Sequence, residues 1–211
     1  MAMLVPYSPL SWPTRIVRLV MAWLFISVGI AFMIRAKFGV APIDSLIKGL
    51  SDRTGINFGL AFIAVSIVFY TIGWLLRSPP GPASLIGSFV IGPAINETLG
   101  LIPDNNSVTA RVMFFGIGLG LVAAGICLAI STNLGPGPSE VLMLGIHRIG
   151  VPLVASRWLV DGIHIAIGLL LGGPLGVGTA IFLLTMGPMI KVGLRWLHYS
   201  PNTTKISTSD L

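Results

Sequence analysis

The chain has 211 residues, of which 54% are hydrophobic and 9% charged, with 26 glycines and a formal net charge of +6. Soluble domains carry about 25% charge, so this composition excludes a water-soluble domain with an ordinary polar surface and points to a protein that crosses a membrane several times. The basic residues sit at the ends of apolar segments and form no block interleaved with aromatics, which argues against nucleic acid as a partner. The single cysteine, Cys127, lies inside an apolar segment, so neither an intrachain disulfide nor a cysteine-based zinc site is available.

Residues 1 to 14 hold Pro6, Pro9 and Pro13 and read as an extended lead-in, with Tyr7 and Trp12 at the depth of lipid headgroups. A span is predicted over residues 15 to 36, long enough to cross a hydrocarbon core of about 30 Å. It lacks the small-residue cleavage site of a signal peptide and is expected to stay in the mature chain. Then comes Gly39-Val40-Ala41-Pro42-Ile43-Asp44, which opens a short helix over 42 to 54 that ends near Gly55. About twelve residues cannot cross, so this helix is interfacial or re-entrant. Spans over residues 58 to 76 and 83 to 102 complete the first unit, 15 to 102. The second of these contains Gly92-Pro93, where proline removes one helical hydrogen bond and kinks the helix. Asn96 and Glu97 follow that kink and read as residues at the end of a span reaching water.

Residues 103 to 110 form a polar connection. Asn105 and Asn202 each begin a sequon, a pattern common by chance. A second unit, 111 to 197, then repeats the first at an offset of about 96, falling to about 95 after Gly150. Gly135 and Pro138 repeat Gly39 and Pro42, Arg111 repeats Arg15, Gly125 repeats Gly29, and Gly187-Pro188 repeats Gly92-Pro93. Its spans are predicted over 111 to 131, 153 to 172 and 177 to 197, with a short helix over 138 to 149. A polar tail, 198 to 211, closes the chain. Gly116, Gly118 and Gly120 on the fourth span are expected to let a neighbouring helix approach closely.

Three spans per unit is odd, so the second unit enters the membrane from the opposite side. The expected fold is all-α, with six transmembrane helices as two inverted three-helix repeats, each holding one short half-helix. Lys and Arg near the span ends are slightly more numerous on the side of the termini, which places both termini in the cytoplasm.

The chemistry concentrates in few places. In each half-helix opening, glycine, proline and then an acid suit the start of a helix, where a carboxylate accepts from free N–H groups and complements the dipole. Capping alone explains that pattern. Interrupted segments at matching positions of repeats also mark substrate or ion sites in transporters, which makes Asp44 and Glu140 candidates. On the fifth span Arg157, Asp161 and His164, at i, i+4 and i+7, share one face. Ionisable groups inside a bilayer cost about 2.5 to 3.5 kcal/mol on insertion scales, so they face the protein interior or a wet cavity and pair. A structural alternative has Arg157 reaching the interface with Asp161 neutralising it, and His164 as a hydrogen-bonded interior histidine. No set of residues has metal spacing, no phosphate-binding loop follows Gly135-Pro136-Gly137-Pro138, and no nucleophile with a base is visible, so neither enzyme activity nor a cofactor is expected.

The duplicated Gly-x-x-Pro-x-acid passage, the Arg157-x-x-x-Asp161 pair, the Gly-Gly-Pro-x-Gly-x-Gly-Thr turn from Gly172 to Thr179 and the two Gly-Pro kinks resemble the YczE-type family of bacterial integral membrane proteins, with its YyaS- and YitT-like relatives. The resemblance covers nearly all of residues 15 to 197. It implies a six-span bacterial inner-membrane protein, in a group placed loosely with small-molecule exporters. Asp161 stands where that pattern carries glutamate and Glu140 where it carries aspartate, so charge survives and reach changes.

The resulting expectation is a small secondary transporter or exporter, with Asp44, Glu140, Arg157, Asp161 and His164 along its pathway. The half-helix openings at Gly39, Pro42, Gly135 and Pro138 would frame the site, and the kinks at Gly92, Pro93, Gly187 and Pro188 would serve as rocking points. Expected partners are the bilayer, a small-molecule substrate and a second copy of the chain. The alternative is a membrane scaffold whose charges only hold helices together.

Overall fold

The computed structural model describes residues 10–56, 58–104 and 107–199, and for Asn96 the backbone alone. Pro6, Tyr7, Pro9, the two sequon asparagines, the side chain of Asn96 and the tail from Ser200 lie outside the described residues. Among those described there are eight helices and no strand: α1 (Trp12–Ala36), α2 (Pro42–Thr54), α3 (Phe58–Leu75), α4 (Pro82–Leu101), α5 (Val108–Ser131), α6 (Pro138–Arg148), α7 (Leu153–Leu170) and α8 (Val177–Trp196). Six of them, all but α2 and α6, are long and apolar enough to cross a membrane. Each turns large apolar side chains outward: Val20, Ile67, Phe89, Met113, Ile163 and Leu184 are all more than half exposed. A surface apolar on all sides suits lipid rather than water.

Two spans begin earlier than expected. The Ser11 side chain accepts from the Thr14 N–H and Pro13 sits in the first turn, so α1 starts at Trp12 and the lead-in is shorter than 1 to 14. α5 starts at Val108, after Ser107, whose backbone carbonyl accepts from the Arg111 N–H, placing Arg111 one turn inside the helix rather than at its start.

α1 and α5 form the central seam. They run antiparallel: Arg18 at the start of α1 donates to Ser131 Oγ at the end of α5 (3.2 Å), and Arg111 at the start of α5 donates to the Ala36 carbonyl at the end of α1 (2.8 Å). Backbones touch at Gly29 and Gly118, where a Cβ on either glycine would lie within 2.8 Å of the other's carbonyl oxygen. Gly116 and Gly120 do not share this role. They point about 200° around the helix from Gly118 and meet nothing within 4 Å.

The short helices α2 and α6 start deep and end at the surface. In α2, Pro42, Asp44 and Ser45 are buried and Asp52, Arg53 and Thr54 exposed; in α6, Pro138 to Met143 are buried and Arg148 is exposed. Gly39 (φ 119°) and Gly135 (φ 129°) turn the chain into them, a left-handed conformation that favours glycine. The N-cap residues Ala41 and Gly137 offer no side-chain cap, and Asp44 and Glu140 stand in the first turns of α2 and α6, with Glu140 Oε2 folded back toward Gly137.

The two halves finish each other's loops. Thr179 Oγ1, in the first turn of α8, donates to the Val40 carbonyl before α2 (2.8 Å), and the Gly178 N–H donates to the Phe38 carbonyl (2.8 Å). At the equivalent positions Ser84 Oγ, in the first turn of α4, donates to the Pro136 carbonyl before α6 (2.6 Å), and the Ala83 N–H to the Leu134 carbonyl (3.0 Å). Gly176 and Gly81 open α8 and α4, and a Cβ on either would fall on the Phe38 or Leu134 carbonyl oxygen. Pro93 and Pro188 lie inside α4 and α8, as the sequence requires.

Candidate functional site

α7 packs against both short helices, and α3 does likewise. α7 carries its three ionisable side chains on the face turned inward, and all are buried: Arg157 is 2% exposed, Asp161 and His164 0%. Arg157 therefore does not reach for the interface. Its Nε donates to Asp161 Oδ2 (2.8 Å), one turn along the same helix, and its Nη1 donates to Glu140 Oε1 (2.7 Å) in the first turn of α6. The guanidinium stands 5.7 Å from the centroid of the Phe182 ring, a cation–π distance. One cation thus serves two carboxylates in a dry setting, where charge-assisted hydrogen bonds are strongest.

His164 lies behind this group. Its Nδ1 is 3.8 Å from Asp161 Oδ1, beyond hydrogen-bond range, and neither ring nitrogen nor that oxygen has a hydrogen-bond partner. The imidazole stacks instead on Phe69 of α3, with centroids 4.9 Å apart and planes at 14°. The interior histidine expected from the sequence is found, without the hydrogen bond expected of it.

Asp44 is 4% exposed and accepts no hydrogen bond or ion pair from a described residue. The nearest basic residue on its own helix, Lys48, points outward and pairs with Asp52. A cavity of about 70 Å³ lies between the two half-helix openings, and Asp44, Glu140, Arg157, Ser139, Phe62 and Phe182 are among the residues on its wall. The hydroxyl of Ser139 is buried without a partner. Asp161 and His164 do not line this space; they stand behind Arg157. Of the five predicted pathway residues, Asp44, Glu140 and Arg157 line the cavity, and Asp161 reaches it only through its bond to Arg157.

A second, larger groove of about 660 Å³ opens between α1, α5 and α8, lined by apolar side chains such as Met21, Phe25, Cys127 and Trp196. It presents no charged group. Among the described residues no cluster of His, Cys, Asp and Glu suits a metal ion. Glu97 and Lys191, near the span ends, are exposed as expected.

Sequence reasoning missed Ser139, Phe62 and Phe182. Nothing in the local pattern sets the two phenylalanines apart from the other apolar residues of their spans, although Phe62 occupies in the first unit the place of Arg157 in the second, a correspondence visible once the copies are aligned at an offset of 95.

The chain is 28% identical to the uncharacterized protein YyaS of Bacillus subtilis over 174 residues, 80% of this chain and 87% of that one. It is 26% identical to the uncharacterized membrane protein YczE of the same organism over 190 residues, covering 83% and 86%. An uncharacterized protein of Haemophilus influenzae is 24% identical over 185 residues, covering 87% and 85%. No solved structure matches significantly. YyaS and YczE bear out the resemblance read from the duplicated motif. The matching stretch, residues 13–195, takes in both short helices and the whole buried charge cluster, and it makes this chain a member of the family of unknown function DUF6198.

Proposed function

We propose that this multi-pass membrane protein is a small secondary transporter or exporter of a small molecule, built from two inverted repeats, with the cavity between the half-helix openings as its binding site. The observation that carries this reading is that the opening of one half-helix from each unit, with Asp44 or Glu140, lines the same internal space beside Arg157. Transporters with broken helices place substrate and coupling ion at such a point. The antiparallel course of α1 and α5 and the reciprocal hydrogen bonds between the units support an inverted two-fold relation, since such an axis pairs i with j and j with i. In this reading α2 and α6 are re-entrant, both termini are cytoplasmic, the membrane is the bacterial inner membrane, and Pro93 and Pro188 give α4 and α8 their rocking points. A second copy of the chain is its expected partner in the bilayer.

A scaffold remains the second reading because one observation favours it: Arg157 binds α6 to α7 through Glu140, as a fastener would. Two measurements separate the readings. Single cysteines at positions 44 and 139, on a Cys127→Ala background, should react with a polar reagent from one side of a sealed vesicle, and the reactive side should change with conditions that drive turnover. Proton-coupled flux in proteoliposomes should fall in Asp161→Asn. Cysteines that stay protected from both sides, together with flux equal to that of empty vesicles, would leave the scaffold.

A further inference from the structure

The two units repeat each other in sequence but not in charge, and the difference falls on the cavity. Glu140 and Asp44 are equivalent acids in the first turns of α6 and α2, and each short helix packs against the third helix of its own unit, α7 or α3. At the position from which α7 sends Arg157 to Glu140, α3 carries Phe62. Asp161 and His164 correspond likewise to Ser66 and Phe69. The first unit therefore keeps the acid and lacks its arginine. Asp44 is left in the interior without a counter-charge, and Phe62 is another residue of the same cavity wall. The local balance is three carboxylates, Asp44, Glu140 and Asp161, against one guanidinium. An uncompensated buried carboxylate is among the most costly groups a protein holds.

We propose that the cavity binds a small monocation of guanidinium or ammonium type, held by Asp44 and the Phe62 ring in the place that Arg157 takes opposite Glu140. In the internal alignment Asp44 stands to α3 as Glu140 stands to α7, and Phe62 and Phe182 both line the cavity, where an aromatic ring can meet a cation. The unpartnered Ser139 hydroxyl on the same wall supplies an acceptor for an N–H. Size fits as well. A cavity of about 70 Å³ matches the volume of about two waters in the liquid, the size range of an ion with two to four heavy atoms. This rests on the transport reading for its purpose but not for its chemistry, since a binding site needs no turnover.

The test is calorimetric titration of the full-length protein in nanodiscs with guanidinium, methylammonium or sodium chloride at low millimolar concentration, with N-methylglucamine keeping ionic strength constant. Guanidinium or methylammonium should give saturable binding, weakened about tenfold or more in Asp44→Asn, as expected for losing one charge-assisted hydrogen bond. Phe62→Arg should abolish binding while keeping or raising the Tm, because the new side chain supplies the cation covalently. The proposal is overturned if wild-type protein binds none of these ions saturably, if sodium alone binds, or if a folded Asp44→Asn or Phe62→Arg binds guanidinium as wild type does. Binding without flux would count against transport and leave this site standing; flux of another substrate without cation binding would do the reverse.

Discussion

Replacing Arg157 by methionine isolates the energetics of the buried cluster. The change keeps most of the side chain's apolar bulk and removes both hydrogen bonds, 2.7 Å to Glu140 and 2.8 Å to Asp161. A hydrogen bond to a charged group is worth about 1.5 to 3 kcal/mol, so losing two gives roughly 3 to 6. Breaking a buried pair by deleting one partner costs about 3 to 5 kcal/mol, because the other charge is stranded. The two routes agree on about 4 kcal/mol, and exposed ion pairs at about 0 to 1 give no such figure. Unfolding in mixed micelles under increasing denaturing detergent reads it directly. The triple variant Arg157→Met, Glu140→Gln, Asp161→Leu, in which no charge is stranded, should recover most of the loss, as buried pairs replaced by matched uncharged groups do. If Arg157→Met costs under about 1 kcal/mol, or the triple variant is no better than the single, the pairs do not hold α6 to α7 and the geometry around Arg157 is wrong.

Gly81→Ala and Gly176→Ala should each destabilise by about 1 to 3 kcal/mol, as forced overpacking does, because the added methyl meets a carbonyl oxygen of the other unit; thermal unfolding in detergent reports it, and a much smaller effect at one of them would break the equivalence between the units. Ser84→Ala and Thr179→Val each strand a loop carbonyl and should cost about 1 to 3 kcal/mol apiece, with hydrogen exchange rising in the residues before α6 in the first case and before α2 in the second. Asp104, in the exposed connection between α4 and α5, is held below the usual carboxylate range by a hydrogen bond from Lys37 and then by the charge of Arg35. A depressed folded value means the clasp is complete above the ordinary aspartate range and is lost as pH falls through the folded value; exchange near residues 100 to 108 should rise on acidification, and Asp104→Asn should remove that response.

Periodicity and punctuation made the helices legible, and most ends fall within a few residues of where proline and glycine put them. The shift at α1 arose because the physical signal for its start is Ser11, whose side chain accepts from a free first-turn N–H, and not the arginine that follows; at α5 the helix begins one turn before Arg111 without such a cap. Arg157 and Asp161 could be paired because i, i+4 spacing is local. That Glu140 completes the cluster could not be read, since it depends on α6 lying across α7. The glycines at 116 and 120 were misread for a simpler reason: spacing of two residues puts helix neighbours on different faces, so one seam can use only Gly118. The missing arginine opposite Asp44 was present in the two copies all along, but only the cavity gives the comparison a place to matter.

The bonds from α8 to the turn before α2 join residues 139 apart in sequence. Val40 emerges from the ribosome early, yet its carbonyl is satisfied only when Thr179, near the end of synthesis, takes its place. Until then the loop before α2 lacks that partner, and the loop before α6 depends in the same way on Ser84 of the first unit. A gene cut between α4 and α5 would put the donor and acceptor of every one of these loop bonds on different fragments, so the two fragments should be more stable together than apart.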